Sequence, residues 1–188
     1  KGKTTTTYMI KAILEAAGQK TGLIGTNGAV IGENHYPTKN TTPESYILQE
    51  YFAKMVEAGC RYIVMEVSSQ SYLMHRVDGL FFDYGIFLNI SNDHIGPNEH
   101  ASFEEYLYYK KQLLKNCRTA LVNRDDPHFD AIVEGATAEI LTFSLEQAAD
   151  FTADDIHYVR EHDFVGVEFQ THGRYESDLR VGIPGKFN

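Results

Sequence analysis

Tryptophan is absent from the chain and cysteine nearly so, with Cys60 and Cys117 far apart in 188 residues. Two distant thiols form no CxxC-type pair, which argues against a structural zinc site or a disulfide framework and leaves reduced thiols as the expectation. Long apolar runs are missing as well. No stretch approaches the ~18 apolar residues needed to span a bilayer, and no signal-peptide pattern opens the chain, so membrane insertion is not expected. Without a secretory signal, the glycosylation-type triplets beginning at Asn40 and Asn89 read as accidental. Positive charge is the remaining shortage. Lysine and arginine number 17 against 26 aspartates and glutamates, a net charge of −9. Binding along a nucleic-acid backbone is therefore excluded, while a local anion site is not. What is present is ordinary: 43% hydrophobic and 23% charged residues suit a cytoplasmic domain with a sizeable core.

The order of elements predicts an α/β fold. Helices are expected over residues 4–17, 43–58 and 102–116, the second with Pro43 near its start and Gly59 after its end. Ser102 and Glu105 make a capping-box pattern for the third. Apolar runs predict strands over 21–25, 61–65, 83–88, 119–122 and 138–143, and the run 61–65 reads as a strand buried on both faces. Strands alternating with helices imply a mostly parallel sheet flanked by helices. After about Gln147 the pattern becomes short alternating stretches, 164–170 and 178–181, which predict a small antiparallel sheet closing the same domain. Both ends read as cut from a longer enzyme, so one domain over 1–188 is expected, with an α/β core to about 147 and a small β subregion beyond it.

Gly2-Lys3-Thr4-Thr5, leading directly into a helix, matches the second half of a phosphate loop. There, backbone amides and a helix N-terminus face phosphate oxygens, the lysine reaches the outer phosphates, and the threonine hydroxyl binds Mg²⁺. Gly25-Thr26-Asn27-Gly28 imitates such a loop, but no Lys-Ser/Thr follows and a plain turn is expected. Glu66 closes a strand, where open α/β sheets bind ligands. His94 follows another strand and Lys110 sits within a helix. Each also has an ordinary reading: a solvated carboxylate, a structural histidine, a surface lysine.

Taken together, Gly2 to Thr6, Asn40 to Pro43, Glu66 to Ser69 with His75-Arg76-Val77, Asn89 to His94, Tyr106 to Lys110 and Asn123 to Asp126 resemble, in that order, the central domain of the Mur ligases. The resemblance runs along essentially the whole chain and looks most like the tripeptide-synthetase branch. It implies an ATP-dependent ligase of peptidoglycan precursor synthesis. Such an enzyme phosphorylates the carboxylate of UDP-MurNAc-L-Ala-D-Glu to an acyl phosphate, which the amine of L-lysine or meso-diaminopimelate then attacks. ATP and Mg²⁺ are the implied cofactors, and a cytoplasmic monomer is the implied form. ATP contacts would be Gly2, Lys3, Thr4, Thr5 and Asn188, and the metal set Thr4, Glu66, His94 and Lys110. Lys3, His94 and Lys110 would carry the chemistry. By resemblance Lys110 would react with CO₂ to become an anionic carbamate, although Lys111 stands beside it. Asn40, Thr41, Thr42, Ser68 and Arg76 would hold the muramoyl dipeptide, Arg76 as a bidentate carboxylate clamp. The threonines could equally cap the helix after Pro43. Met74 departs from relatives with a substrate-touching glutamine there. Asn123 to Asp126 could be a simple turn and receive no catalytic role. Two rival readings stay open: a folylpolyglutamate synthetase-like ligase, and a non-catalytic nucleotide-binding module. The isolated chain is expected to have little or no ligase activity.

Overall fold

In the computed structural model, which describes residues 1–93, 95–97 and 99–183, the chain divides into two compact units. One comprises residues 2–80 and 92–112; the other comprises residue 1, residues 81–91 and the chain from 113 onward. None of the described helices is long and apolar enough to cross a membrane.

The first unit begins with α1 (Lys3–Ala16), then β1 (Thr21–Gly25), β2 (Gly28–Ile31), β3 (Asn34–Tyr36), α2 (Ser45–Glu57), β4 (Tyr62–Met65), α3 (Ser69–Leu73) and later α4 (Phe103–Lys110). Its sheet has the order β3-β2-β1-β4, with β1 and β4 parallel and the rest antiparallel. The expected turn at 25–28 is a hairpin: Gly25 pairs with Gly28, whose φ of 104° suits glycine. The apolar chain that follows it is β2. β4 corrects one expectation. It is an edge strand, not one buried on both faces, and Tyr62 and Ile63 stay about two-fifths exposed.

α2 presents Leu48, Tyr51 and Met55 on one face, the spacing of an amphipathic helix. These pack with Ile24, Ala29, Ile31 and Val77 into the core of the unit. Met55 lies over Gly22, where a Cβ would collide with its sulfur, so β1 offers no side chain at that position to fill the space it would vacate. Met55→Ala is therefore expected to cost about 3–5 kcal/mol of unfolding free energy, the upper range for such truncations. Urea unfolding would show this as a lower midpoint at unchanged slope; a loss below ~1 kcal/mol would mean that the helix collapses onto β1.

The second unit holds β5 (Phe82–Phe87), β6 (Cys117–Asn123), α5 (Phe129–Val133), β7 (Glu139–Ser144), β8 (Phe151–Glu161), β9 (Phe164–Gly173) and β10 (Ser177–Val181). These strands form one sheet in the order β10-β9-β8-β7-β6-β5. β5 through β8 pair in parallel, and β8 to β10 antiparallel. The α/β class is as expected. The antiparallel strands, however, do not make a sheet of their own, because β8 pairs with β7 at Phe143 and Ser144 and so extends the parallel strands. Asn123 to Asp126 form the anticipated turn after β6. The Asp125 amide donates to Asn123 Oδ1, and Asp126, 6% exposed, accepts from the amides of Ile90 and His128. The Asp126 carboxylate thus ties the chain after β5 to the chain after β6.

Candidate functional site

Residues of the first unit bring the phosphate-loop helix, the hairpin turn and the end of β4 to one carboxylate. Gly2 precedes α1 in a left-handed conformation at φ 84°, with no side chain capping the helix and no acidic residue in its first turn. The Thr6 amide reaches the Gly2 carbonyl at 2.9 Å, which leaves the amides of Lys3, Thr4 and Thr5 as the open donors of the helix start. The helix dipole adds to them. Lys3 makes no hydrogen bond or ion pair among the described residues. An anion arriving here therefore meets unspent donors and an unspent cation.

Glu66 follows β4 and is 2% exposed. Its Oε1 accepts from the Thr4 hydroxyl at 2.9 Å and from the Thr26 amide at 2.9 Å; its Oε2 accepts from the Thr26 hydroxyl at 3.3 Å. Gly25 is what admits this carboxylate, since a Cβ there would run into Glu66 Oε1. No lysine or arginine among the described residues pairs with Glu66. A buried carboxylate held by neutral donors alone is costly unless a cation completes it.

The segment 40–44 closes on the other side. Thr42 is fully buried, its hydroxyl donating to the Glu66 carbonyl at 2.9 Å and accepting from the Ser68 amide at 3.0 Å. Thr41 and Thr26 share a hydrogen bond of 3.1 Å between their hydroxyls. The alternative role of these threonines as helix caps is not what the structure shows: α2 starts at Ser45, its cap residue is Glu44, and no side chain caps it. Ser68 does cap, accepting from the Ser71 amide to open α3.

α3 ends in a Schellman turn. The Arg76 amide donates to the Ser71 carbonyl at 2.8 Å, the His75 amide to that of Tyr72 at 3.2 Å, and His75 takes φ 54°. That reversal turns Arg76 back toward the 40–44 segment. Its guanidinium reaches the Thr42 carbonyl at 3.5 Å and pairs with Glu44 at 2.9 Å, and Asn40 donates to the same Glu44 carboxylate at 3.3 Å. Nε of Arg76 is buried without a hydrogen bond among the described residues. Glu44 was not expected from sequence; its neighbours Asn40 and Arg76 were.

Lys110 lies on the last turn of α4, and its ammonium donates to the Tyr106 hydroxyl at 3.2 Å. Tyr106 is 5% exposed, and burial, followed by the charges of Asp93 and Glu99, pushes its phenol up to about 12. The capping pattern at Ser102 is present with one change: Ser102 accepts from the Glu105 amide, but Glu105 accepts from Ala101 instead. His94 and Asn188 lie outside the described residues.

Of the expected metal set, Thr4 and Glu66 are thus in direct contact. The described residues gather no group of three or more His, Cys, Asp or Glu side chains for a metal ion. Mg²⁺ does not require one, because it commonly takes one or two protein oxygens and completes its shell with phosphate and water. Thr4, whose hydroxyl donates its hydrogen bond to Glu66, keeps oxygen lone pairs for a ligand. The hydroxyl and the buried, cation-lacking carboxylate fit that hard ion.

Comparison with known proteins gives a consistent result. Residues 1–188 match the Mur ligase middle domain. A UDP-N-acetylmuramoyl-L-alanyl-D-glutamate–2,6-diaminopimelate ligase of Caldanaerobacter subterraneus is 40% identical over all of this chain. A UDP-N-acetylmuramoyl-L-alanyl-D-glutamate–L-lysine ligase of Streptococcus thermophilus is 39% identical, again over all of it. The chain spans only 38% and 37% of those two relatives. A solved structure of a UDP-N-acetylmuramoyl-L-alanyl-D-glutamate–2,6-diaminopimelate ligase superposes with a TM-score of 0.88 at 26% identity, over all of this chain and 38% of that one.

Proposed function

Because this chain belongs to the Mur ligase family, as its middle domain, we propose that it is the ATP-handling part of a ligase that joins an amino acid to UDP-MurNAc-L-Ala-D-Glu. The amine would come from L-lysine or meso-diaminopimelate. The reading places an acyl phosphate between the two substrates, as the activated form of the dipeptide carboxylate. One observation supports it above the others: the hydrogen bond from Thr4, at the start of the phosphate-loop helix, to the buried carboxylate of Glu66. A phosphate-loop threonine joined to a strand-end carboxylate is the pairing that holds Mg²⁺ on a bound nucleotide; the family match is what favours a ligase over a bare nucleotide-binding module.

In this reading the open amides of α1 and the Lys3 ammonium bind the outer phosphates and orient them. Thr4 and Glu66 would hold Mg²⁺, which supplies positive charge where two anionic reactants must meet. Thr26 keeps Glu66 in its rotamer with two hydrogen bonds. Arg76 would take a carboxylate of the dipeptide in place of Glu44, the carboxylate with which its guanidinium pairs at 2.9 Å in this structure. Asn40, Thr41, Thr42 and Ser68 frame the same edge. Lys110, as a carbamate, would contribute an anionic oxygen in place of a cation; His94 and Asn188 keep the roles that the resemblance implies.

The test is ADP release by the natural full-length form. Release should require the UDP-linked dipeptide together with one of the two amines. ADP formed equally well with dihydropteroate, or with no acceptor at all, would sink the proposal. The two amines must be tried separately, since relatives named for each are equally similar to this chain.

A further inference from the structure

His100 has no exposed surface, and neither its sequence neighbours nor the phosphate-loop chemistry accounts for it. Its Nε2 lies 2.8 Å from Ser69 Oγ. The ring stacks on Tyr106, with centroids 5.3 Å apart and planes at 28°, and on Tyr109 at 5.8 Å and 24°. Nδ1 is 3.7 Å from a Glu105 oxygen. Two neighbourhoods therefore meet at this ring. Ser69 directly follows Ser68, whose hydroxyl opens α3 and meets Thr42. Tyr106 holds Lys110, one helical turn further on and on the same face.

Packing alone would be served by phenylalanine. A histidine with its nitrogen on a serine costs desolvation that only the hydrogen bond offsets. A flat, fully buried ring stacked against two tyrosines also has little freedom to absorb a displacement. Resting on the ligase reading above, we infer that His100 is a positioning residue: it ties the serine turn after Glu66 to the helix that presents Lys110, so that the dipeptide contacts and the lysine keep one mutual geometry. For Lys110 to become a carbamate, its ammonium first loses a proton to water and the neutral amine attacks CO₂. The N–C bond forms, one C=O π pair moves onto oxygen, and an N–H proton leaves to water. The Tyr106 hydroxyl, which accepts from the ammonium, can then donate to the carbamate.

A double-mutant cycle on the natural full-length form tests the link. Wild type, Ser69→Ala, His100→Phe and the pair are compared by two readouts. One is the carbamate signal in ¹³C NMR with labelled bicarbonate, without nucleotide or metal; the other is the bicarbonate needed for half-maximal ligation. Ser69→Ala is expected to raise that requirement about three- to tenfold, the worth of one lost hydrogen bond, although the change is made on another element. His100→Phe should do the same, and the pair no more than His100→Phe alone. His100→Gln, whose amide can reach Ser69, should recover part of the loss. Should His100→Phe fail to fold, Ser69→Ala against Tyr106→Phe supplies the same cycle. An unaltered requirement in Ser69→Ala, or effects that multiply in the double variant, overturns the inference. A wild type lacking any carbamate signal that Lys110→Ala removes would overturn it too, and the lysine's role in the ligase reading with it. A wild-type signal left unchanged by the variants overturns the His100 link alone.

Discussion

Glu66→Gln in the natural full-length form is expected to lower amide formation by about 10²–10⁴-fold, on the scale of losing a charged group that neutralises phosphoryl transfer. The substitution separates charge from packing. Glutamine has the same length, its carbonyl can accept from the Thr4 hydroxyl and the Thr26 amide, and the Thr26 hydroxyl can turn to accept from the new NH₂. Unfolding free energy should therefore fall by no more than about 1–2 kcal/mol. The loss should appear mainly in kcat and in a weaker dependence on Mg²⁺. Turnover within threefold of wild type would show that the carboxylate only braces the loops.

Lys3→Ala should be nearly as damaging to catalysis, about 10³-fold in kcat/KM, and far gentler to the fold. Lys3 touches no described partner, so its removal strands nothing inside the protein, and the thermal midpoint should stay within a degree or two, as for a surface change of ±0.5 kcal/mol. The contrast is diagnostic. A residue that matters greatly to turnover and hardly at all to stability is being kept for something outside the chain. Lys3→Arg is not expected to restore activity fully, because a planar guanidinium cannot replace a compact ammonium against the start of a helix. Wild-type kcat/KM in Lys3→Ala would remove the phosphate loop from the mechanism.

How much of this could be read from the sequence depended on how local each signal was. α1, α2, β1 and β4 carry their own periodicity and punctuation, and their expected ranges lie within about two residues of those observed. β8 was missed because its eleven residues, 151–161, are rich in charge and bury little; pairing with β7 and β9 makes it a strand, and that information lies outside it. β4 read as doubly buried because an apolar run does not say which of its faces is covered. Thr4 and Glu66 were recognisable through their motifs, 62 positions apart. Their partner Thr26 was not. It sits in an ordinary hairpin turn, and only the folded strands bring it to the carboxylate. Ser69 belonged to the motif that Glu66 opens, but its pairing with His100, 31 positions away, was invisible for the same reason. A lone histidine in Glu99-His100-Ala101 carries no pattern.

The β1–β2 hairpin has a further implication. Thr26 spends both its amide and its hydroxyl on Glu66, so a fluctuation that frays the turn also releases the carboxylate. Local opening and loss of competence are then one event with one equilibrium constant. The trade-off that often sets robustness against turnover should be absent at this turn: rigidity introduced here would preorganise the site instead of obstructing it.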